Sequence, residues 1–360
     1  EVIDRGAGGF DIVRTPISWL AGQYVEAIEA QGTGNINLTG NNLNNVLTGN
    51  TGNNILTGGE GIDVLIGGSG NDQLFGGLGR DQLVGGQGDD IYEVDSRSDR
   101  VIESLDEGSD TVNASIDYVL AANIENLVLT GSDNIAGGGN SLDNHIIGNS
   151  GNNLINGGLG ADTMEGAAGD DIYIVGSASD VIIDTSGNDT IRSTIDLNLQ
   201  SGIENGDLLG LLDLNLNGNL ASNYLSGNSG DNLIDGMGGA DVLTGGRGED
   251  GFIASINDGH VDTITDFVSG EDLLLVDALA FGLFNPVLPS DEFSGYLTTD
   301  QIGTVISGVS DNASAAFQID TDTGDLKLDL NSTDEIDPLT IFHLDTGAAD
   351  LLPTDIYVLL

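Results

Sequence analysis

The chain has 360 residues, 58 of them acidic and 8 basic, for a formal net charge of −50. That balance excludes nucleic acid and anionic membrane surfaces as electrostatic partners, and self-repulsion opposes a compact state unless counter-ions bind. Cysteine is absent and no apolar run approaches the ~18 residues of a membrane span, so neither disulfides nor a bilayer holds the fold together. Metal ions are the remaining staple. The 39% apolar content, set in strict register, separates the chain from a disordered acidic tail. It opens at Glu1 without a starting methionine or signal peptide and reads as a fragment or processed product.

In chain order, residues 1–39 form a partial module whose stretch EVIDRGAGGFDIV (1–13) fits the middle of a longer unit met again downstream. Pro16 and the lone Trp19 lie here, and the tryptophan reads as core packing. Residues 40–94 carry a nine-residue cadence. GNNLNNVLT (40–48) and GNTGNNILT (49–57) lead into GGEGIDVLI, GGSGNDQLF, GGLGRDQLV and GGQGDDIYE (58–93). A fixed register of glycine, carboxylate and apolar residue is a repeat architecture. A disordered linker would not keep aspartate and leucine in step, and a phosphate-binding glycine loop is single and precedes a helix.

Early glycines in each unit permit a tight loop, and the three residues after its acid make a short strand with one side chain turned inward. Two units then make one turn of a flattened solenoid, so residues eighteen apart stack. This places Asp63 against Asp81 and Asp72 against Asp90, with loop carbonyls around them. Calcium takes six to eight hard oxygen ligands in flexible geometry, which suits such a cage better than magnesium's octahedral demand.

Residues 95–138 form a connector module, followed by a second block over 139–175, a second connector over 176–217 and a third block over 218–253. The later blocks open on asparagine at the sixth position and end on aspartate. Stacking pairs Asn144 with Asp162, Asn153 with Asp171, Asn223 with Asp241 and Asn232 with Asp250; Asn45 and Asn54 open the first block similarly. These asparagines either lend a neutral oxygen to weaker metal sites or form side-chain ladders without metal. The connectors match each other: DDIYEVDSRSDRVIESLDEGSDTV (89–112) with DDIYIVGSASDVIIDTSGNDTI (170–191), a period of about 80 residues. Their β-branched runs predict strands that continue or cap the solenoid. Residues 254–360 read as a β-rich cap containing AFQIDTDTGDLKLDL (316–330) and ending in LLPTDIYVLL (351–360). Asp320, Asp322 and Asp325 form an acidic turn that lacks the glutamate of a twelve-residue calcium loop.

The nonapeptides resemble the hemolysin-type calcium-binding repeats of RTX proteins, and the DTV…NIENLVLTG connectors are similar to those of large bacterial members. The resemblance implies an all-β, right-handed parallel β-roll, several bound Ca2+ ions, type I secretion, and folding outside the cell. It implies ligand roles for Asp63, Asp72, Asp81, Asp90, Asp162, Asp171, Asp241 and Asp250, and the ending resembles an uncleaved export signal. Departures at Ala167, Ala168 and Met237 put Asp171 and Asp241 in question.

The expected function is the calcium-binding region of an exported surface protein, an adhesin or surface-layer component, with calcium, secretion machinery and self or cell-surface components as partners. The alternative is the secretion and folding region of an exported hydrolase whose catalytic domain lies elsewhere. An enzyme within these residues is not expected. His145, His260 and His343 lie in separate modules, no HExxH occurs, and GNSGN (148–152) is a repeat loop.

Overall fold

The computed structural model describes residues 8–184, 186–254, 260–277, 295–296, 302–306, 309–310, 317–320, 325–328, 339–345 and 355–359. Among the described residues the extended elements are β-strands, and no α-helix occurs. The chain divides into two compact units, Glu1–Gly187 and Asn188–Leu360.

In the first unit, alternate nonapeptides feed alternate sheets. One sheet runs through Val46–Thr48, Val64–Ser69, Gln82–Gln87 and Arg100–Ile102; the other runs through Asn37–Thr39, Ile55–Gly61, Gln73–Gly79 and Ile91–Val94 and onward to Val181–Ile183. All these pairings are parallel. The central residue of each strand points inward, so Leu47, Leu65, Leu83 and Val101 stack in one column. Leu56, Leu74, Tyr92, Val112, Leu127, Ile146 and Met164 stack in the other. All but Val101, at 3%, are fully buried. Each such side chain contributes roughly 1.5–3 kcal/mol on leaving water. This is a parallel β-roll, as the nine-residue register requires.

The connectors carry strands in the same sheets but change the length of the turn. Steps of 18 residues in the blocks give way to one of 20, between Asp90 and Asp110, then 15, between Asp110 and Glu125, then 19, between Glu125 and Asn144. The short turn is recognisable by its glutamate. Glu125 reaches back to accept the Asp110 N–H at 2.9 Å, as Glu26 does for Asp11 and Glu204 for Asp189. Equivalent strands open at Ile12, Thr111 and Thr190. The first interval exceeds the expected period because the first block holds two more nonapeptides. Trp19 sits half-buried on Trp19–Leu20, paired with Leu38.

The second unit repeats the pattern. Leu225 stacks on Leu243 and Ile264, and Leu216 on Ile234, Phe252 and Leu274. Leu273–Asp277 then pairs in parallel with Ile356–Leu359, so residues from the LLPTDIYVLL ending continue a solenoid sheet. Phe317–Asp320 and Asp325–Leu328 form the antiparallel hairpin expected over 316–330. Of the acids in its turn, Asp322 lies outside the described residues, while Asp325 pairs with His343 at 2.9 Å.

Candidate metal centre

Two loop types alternate with the strands, and their second and sixth residues tell them apart. In the Gly-Asn-x-x-x-Asn loops the sixth-position amide closes the loop itself. Asn45 Oδ1 accepts the Asn41 N–H at 2.7 Å and its Nδ2 donates to the Val25 carbonyl at 2.9 Å. Asn144 does the same with Asn140 and Ile124, and Asn223 with Asn219 and Ile203. Asn54, Asn153 and Asn232 accept from Asn50, Asn149 and Asn228 at 2.7–2.8 Å. The second-position asparagine adds an Asx turn, as Asn140 Oδ1 accepts from Leu142 at 2.8 Å. All six sixth-position amides are therefore satisfied by protein groups alone. Sequence reading missed the second-position asparagine, although it recurs at 41, 50, 140, 149, 219 and 228.

The Gly-Gly-x-Gly-x-Asp loops lack that partner. Each aspartate uses one oxygen on the backbone of the preceding turn, making a ladder. The Asn45 N–H donates to Asp63 Oδ1 at 2.7 Å, Asp63 N–H to Asp81 Oδ1 at 2.8 Å, and Asp81 N–H to Asp99 Oδ1 at 3.1 Å. On the other side the ladder runs Asn54, Asp72, Asp90, Asp110. Asn144, Asp162 and Asp180 continue it in the second block; Asn223, Asp241, Asp262 and Asn232, Asp250, Asp272 form it in the third. The eighteen-residue pairs thus stack, but not as two carboxylates turned on one point. One oxygen of each is spent on a backbone N–H.

The second oxygen is the reactive one. Oδ2 of Asp63, Asp72, Asp81, Asp90 and Asp162 is buried without any hydrogen-bond donor. For Asp63 and Asp72 it lies beside another acceptor. A Cβ placed on Gly58 would meet Asp63 Oδ2 at 2.3 Å and the Gly76 carbonyl oxygen of the next turn at 2.5 Å; Gly67 stands likewise to Asp72 and Gly85. Two oxygens, one charged, face each other across glycine with no hydrogen between them. Buried anionic oxygens left this way cost several kcal/mol unless a cation answers them. The donor set is all oxygen, which suits calcium. Glycine is required here for space, and at the second position also for its backbone: Gly59, Gly68, Gly77 and Gly86 have φ of 118°, 114°, 88° and 95°.

Burial, opposed by the ladder hydrogen bonds, pushes Asp63, Asp72, Asp171 and Asp250 up to about 6. Asp90 rises to about 7 from burial, with the charges of Asp72, Asp110 and Asp89 adding to it. The loops that depart from the glycine pattern keep the geometry. Ala167 and Met237 hold the left-handed conformation at φ 78° and 66°, and Asp171 Oδ2 and Asp241 Oδ2 take the same place beside Gly166 and Gly236.

These loops coincide with the RTX calcium-binding nonapeptide repeat, whose family model matches residues 39–61, 57–92, 138–173, 174–193 and 217–252. These five stretches of the chain are RTX calcium-binding repeats. Its RTX repeats bind calcium, and the buried carboxylates fit that ion. No curated protein matches the chain significantly. Among the described residues no helix is long and apolar enough to cross a membrane. Beyond the expected RTX aspartates, the structure adds ladder acids in the connectors, Asp99, Asp110 and Asp180, and in the cap, Asp262 and Asp272. An acid eighteen residues beyond Asp81 and Asp162 was a signal already present in the sequence.

Proposed function

We propose that Asp63, Asp72, Asp81, Asp90, Asp162, Asp171, Asp241 and Asp250 hold calcium in their glycine loops, and that calcium decides whether the roll exists. The observation that carries this is the set of buried Oδ2 atoms without donors, two of them beside facing glycine carbonyls. Bound calcium supplies positive charge to oxygens that otherwise repel. The protein's part is to exclude water with the leucine columns, to fix one carboxylate oxygen on the backbone ladder, and to leave the other turned into the loop. The sealed asparagine loops are left out of the ligand set. Their role is to continue the ladder where no cation is needed.

Calcium modules outside cells bind with dissociation constants of about 10⁻⁴–10⁻³ M. At free calcium tenfold above its constant, each site adds roughly 1.4 kcal/mol to folding. Cytosolic calcium lies far below that range. The chain therefore crosses the secretion machinery unfolded and folds outside, where the roll serves as a scaffold of an exported surface protein of adhesin or surface-layer type. Support comes from the −50 charge, which opposes compaction until cations bind, and from the recurrence of 15- and 19-residue turns that lengthen the roll. Far-UV circular dichroism during a titration from chelator to 10 mM calcium, with magnesium as control, tests the folding claim. A cooperative gain of β signal with calcium alone is expected. An equally folded chain in chelator refutes it.

A further inference from the structure

Where the first block ends, the last glycine loop meets no glycine carbonyl. Eighteen residues after Gly58 and Gly67 stand Gly76 and Gly85, each turning its carbonyl oxygen toward the loop. Eighteen residues after Gly85 stands Glu103, and its carboxylate takes that place. A Cβ on Gly85 would meet Asp90 Oδ2 at 2.1 Å, the Tyr92 hydroxyl at 2.1 Å and Glu103 Oε1 at 2.6 Å. Asp110 completes the group, offering a carboxylate oxygen within 4.8 Å of those of Asp90 and Glu103.

The Tyr92 hydroxyl is the independent observation. Tyr92 is fully buried, and its oxygen has no hydrogen-bond partner although it points into the cluster. Both Glu103 oxygens are buried without a donor as well, on a residue only 8% exposed. Glu107 reaches toward Glu103, but its own carboxylate is held by the Ser104 N–H at 2.8 Å and brings a further negative charge. Three buried carboxylates and an unsatisfied phenol oxygen form an all-oxygen cage with no positive group in it.

We propose that Glu103, Asp110 and the Tyr92 hydroxyl complete the Asp90 site at the exit of the block and make it a second kind of cation site, selective for a hard divalent ion of calcium's size. This rests on the reading of the chain as calcium-loaded, and it goes beyond the nonapeptide pattern, because two of its three acids belong to the connector. The site carries three carboxylates where the loops at Asp63 and Asp72 carry one and a neutral carbonyl. More ligand charge means tighter binding, so this ion binds first and closes the block against the connector.

The second block repeats the arrangement. A Cβ on Gly166 would meet the Tyr173 hydroxyl at 2.1 Å, Asp171 Oδ2 at 2.3 Å and Asp184 Oδ2 at 2.6 Å, and Tyr173 donates to Asp184. The acid follows its tyrosine by eleven residues in both blocks. In the third block Phe252 replaces the tyrosine, and the atoms nearest a Cβ on the corresponding Gly245 are those of Asp250.

Calorimetric calcium binding on the full chain tests the proposal with Glu103→Gln combined with Asp184→Asn, and with Asp63→Asn combined with Asp72→Asn. The proposal expects the first variant to bind two fewer ions and to lose the tightest class, with affinity falling at least tenfold there. The second variant should lose weaker ions and keep the tight class. Wild-type stoichiometry and affinity in the first variant, with loss in the second, overturn the exit site and leave the nonapeptide reading intact. No calcium binding by the wild type overturns both. As a check independent of charge, Tyr92→Phe should lower tyrosine-sensitised terbium emission in the full chain; unchanged emission counts against the site.

Discussion

The Gly-Asn-x-x-x-Asn loops and the Gly-Gly-x-Gly-x-Asp loops occupy equivalent places in the same roll, yet they solve the same electrostatic problem in opposite ways. At Gly139, a Cβ would meet Asn144 Oδ1 at 2.5 Å and the Gly157 carbonyl at 2.0 Å; at Gly58 it would meet Asp63 Oδ2 and the Gly76 carbonyl at nearly the same distances. The frame is shared. In the first case the oxygen receives the Asn140 N–H and the amide donates to carbonyls, so the loop is complete. In the second it receives nothing. One loop type folds on its own chemistry, and the other waits for a cation. Each block opens with the first type and closes with the second, so its first turn is held without metal.

The comparison is broken most sharply by exchanging the sixth residue. Asp63→Asn with Asp72→Asn should lower stability in calcium by about 3 kcal/mol when calcium is tenfold above its dissociation constant, the contribution of two ions. The same variant should gain less stability from added calcium than wild type, because two of its sites no longer bind. Denaturant melts across calcium concentrations that fold both chains check this; an identical calcium dependence would erase the distinction. Asn144→Ala should cost roughly 1–3 kcal/mol, since the Asn140 N–H and two carbonyls lose their partner. That loss should be the same at every calcium concentration that folds the chain.

The pH dependence sharpens the contrast further. Folded Asp63 and Asp72 titrate at about 6 and Asp90 at about 7, against an ordinary value of 3.8. Between those limits the folded calcium-free chain binds more protons than the unfolded one, so its stability falls as pH rises from about 4 to 7. Calcium competes with those protons. Its apparent affinity should therefore strengthen from pH 5 to 7, with proton release seen in calorimetry; a flat profile contradicts the assignment of these oxygens. The smallest effect concerns the departures. Ala167→Gly and Met237→Gly relieve left-handed strain of about 1–2 kcal/mol and give some back as unfolded-chain entropy, a net gain of roughly 0.5–1 kcal/mol each in thermal melts.

The fold was legible because the roll is local arithmetic. A nine-residue register with one apolar residue per strand dictates columns such as Leu47, Leu65 and Leu83, and no distant contact is needed to place them. The aspartate register was equally visible. What spacing could not show was how each carboxylate divides its two oxygens, because the backbone N–H that takes Oδ1 becomes apparent only when turns stack. The same stacking separates sealed asparagine loops from open aspartate loops, a distinction written in the second residue but meaningless until its N–H is seen to bend onto the sixth. Glu103 escaped notice for a related reason. It lies outside any nonapeptide, and only the eighteen-residue step carries it to the place of a glycine carbonyl.

The most direct test is an anomalous difference map from crystals of the chain grown in calcium. The account predicts ions beside Asp63, Asp72 and the Asp90, Glu103 and Asp110 cluster, and none in the loops of Asn45, Asn54, Asn144, Asn153, Asn223 and Asn232. Equal peaks in the asparagine loops, or empty aspartate loops at millimolar calcium, would contradict it.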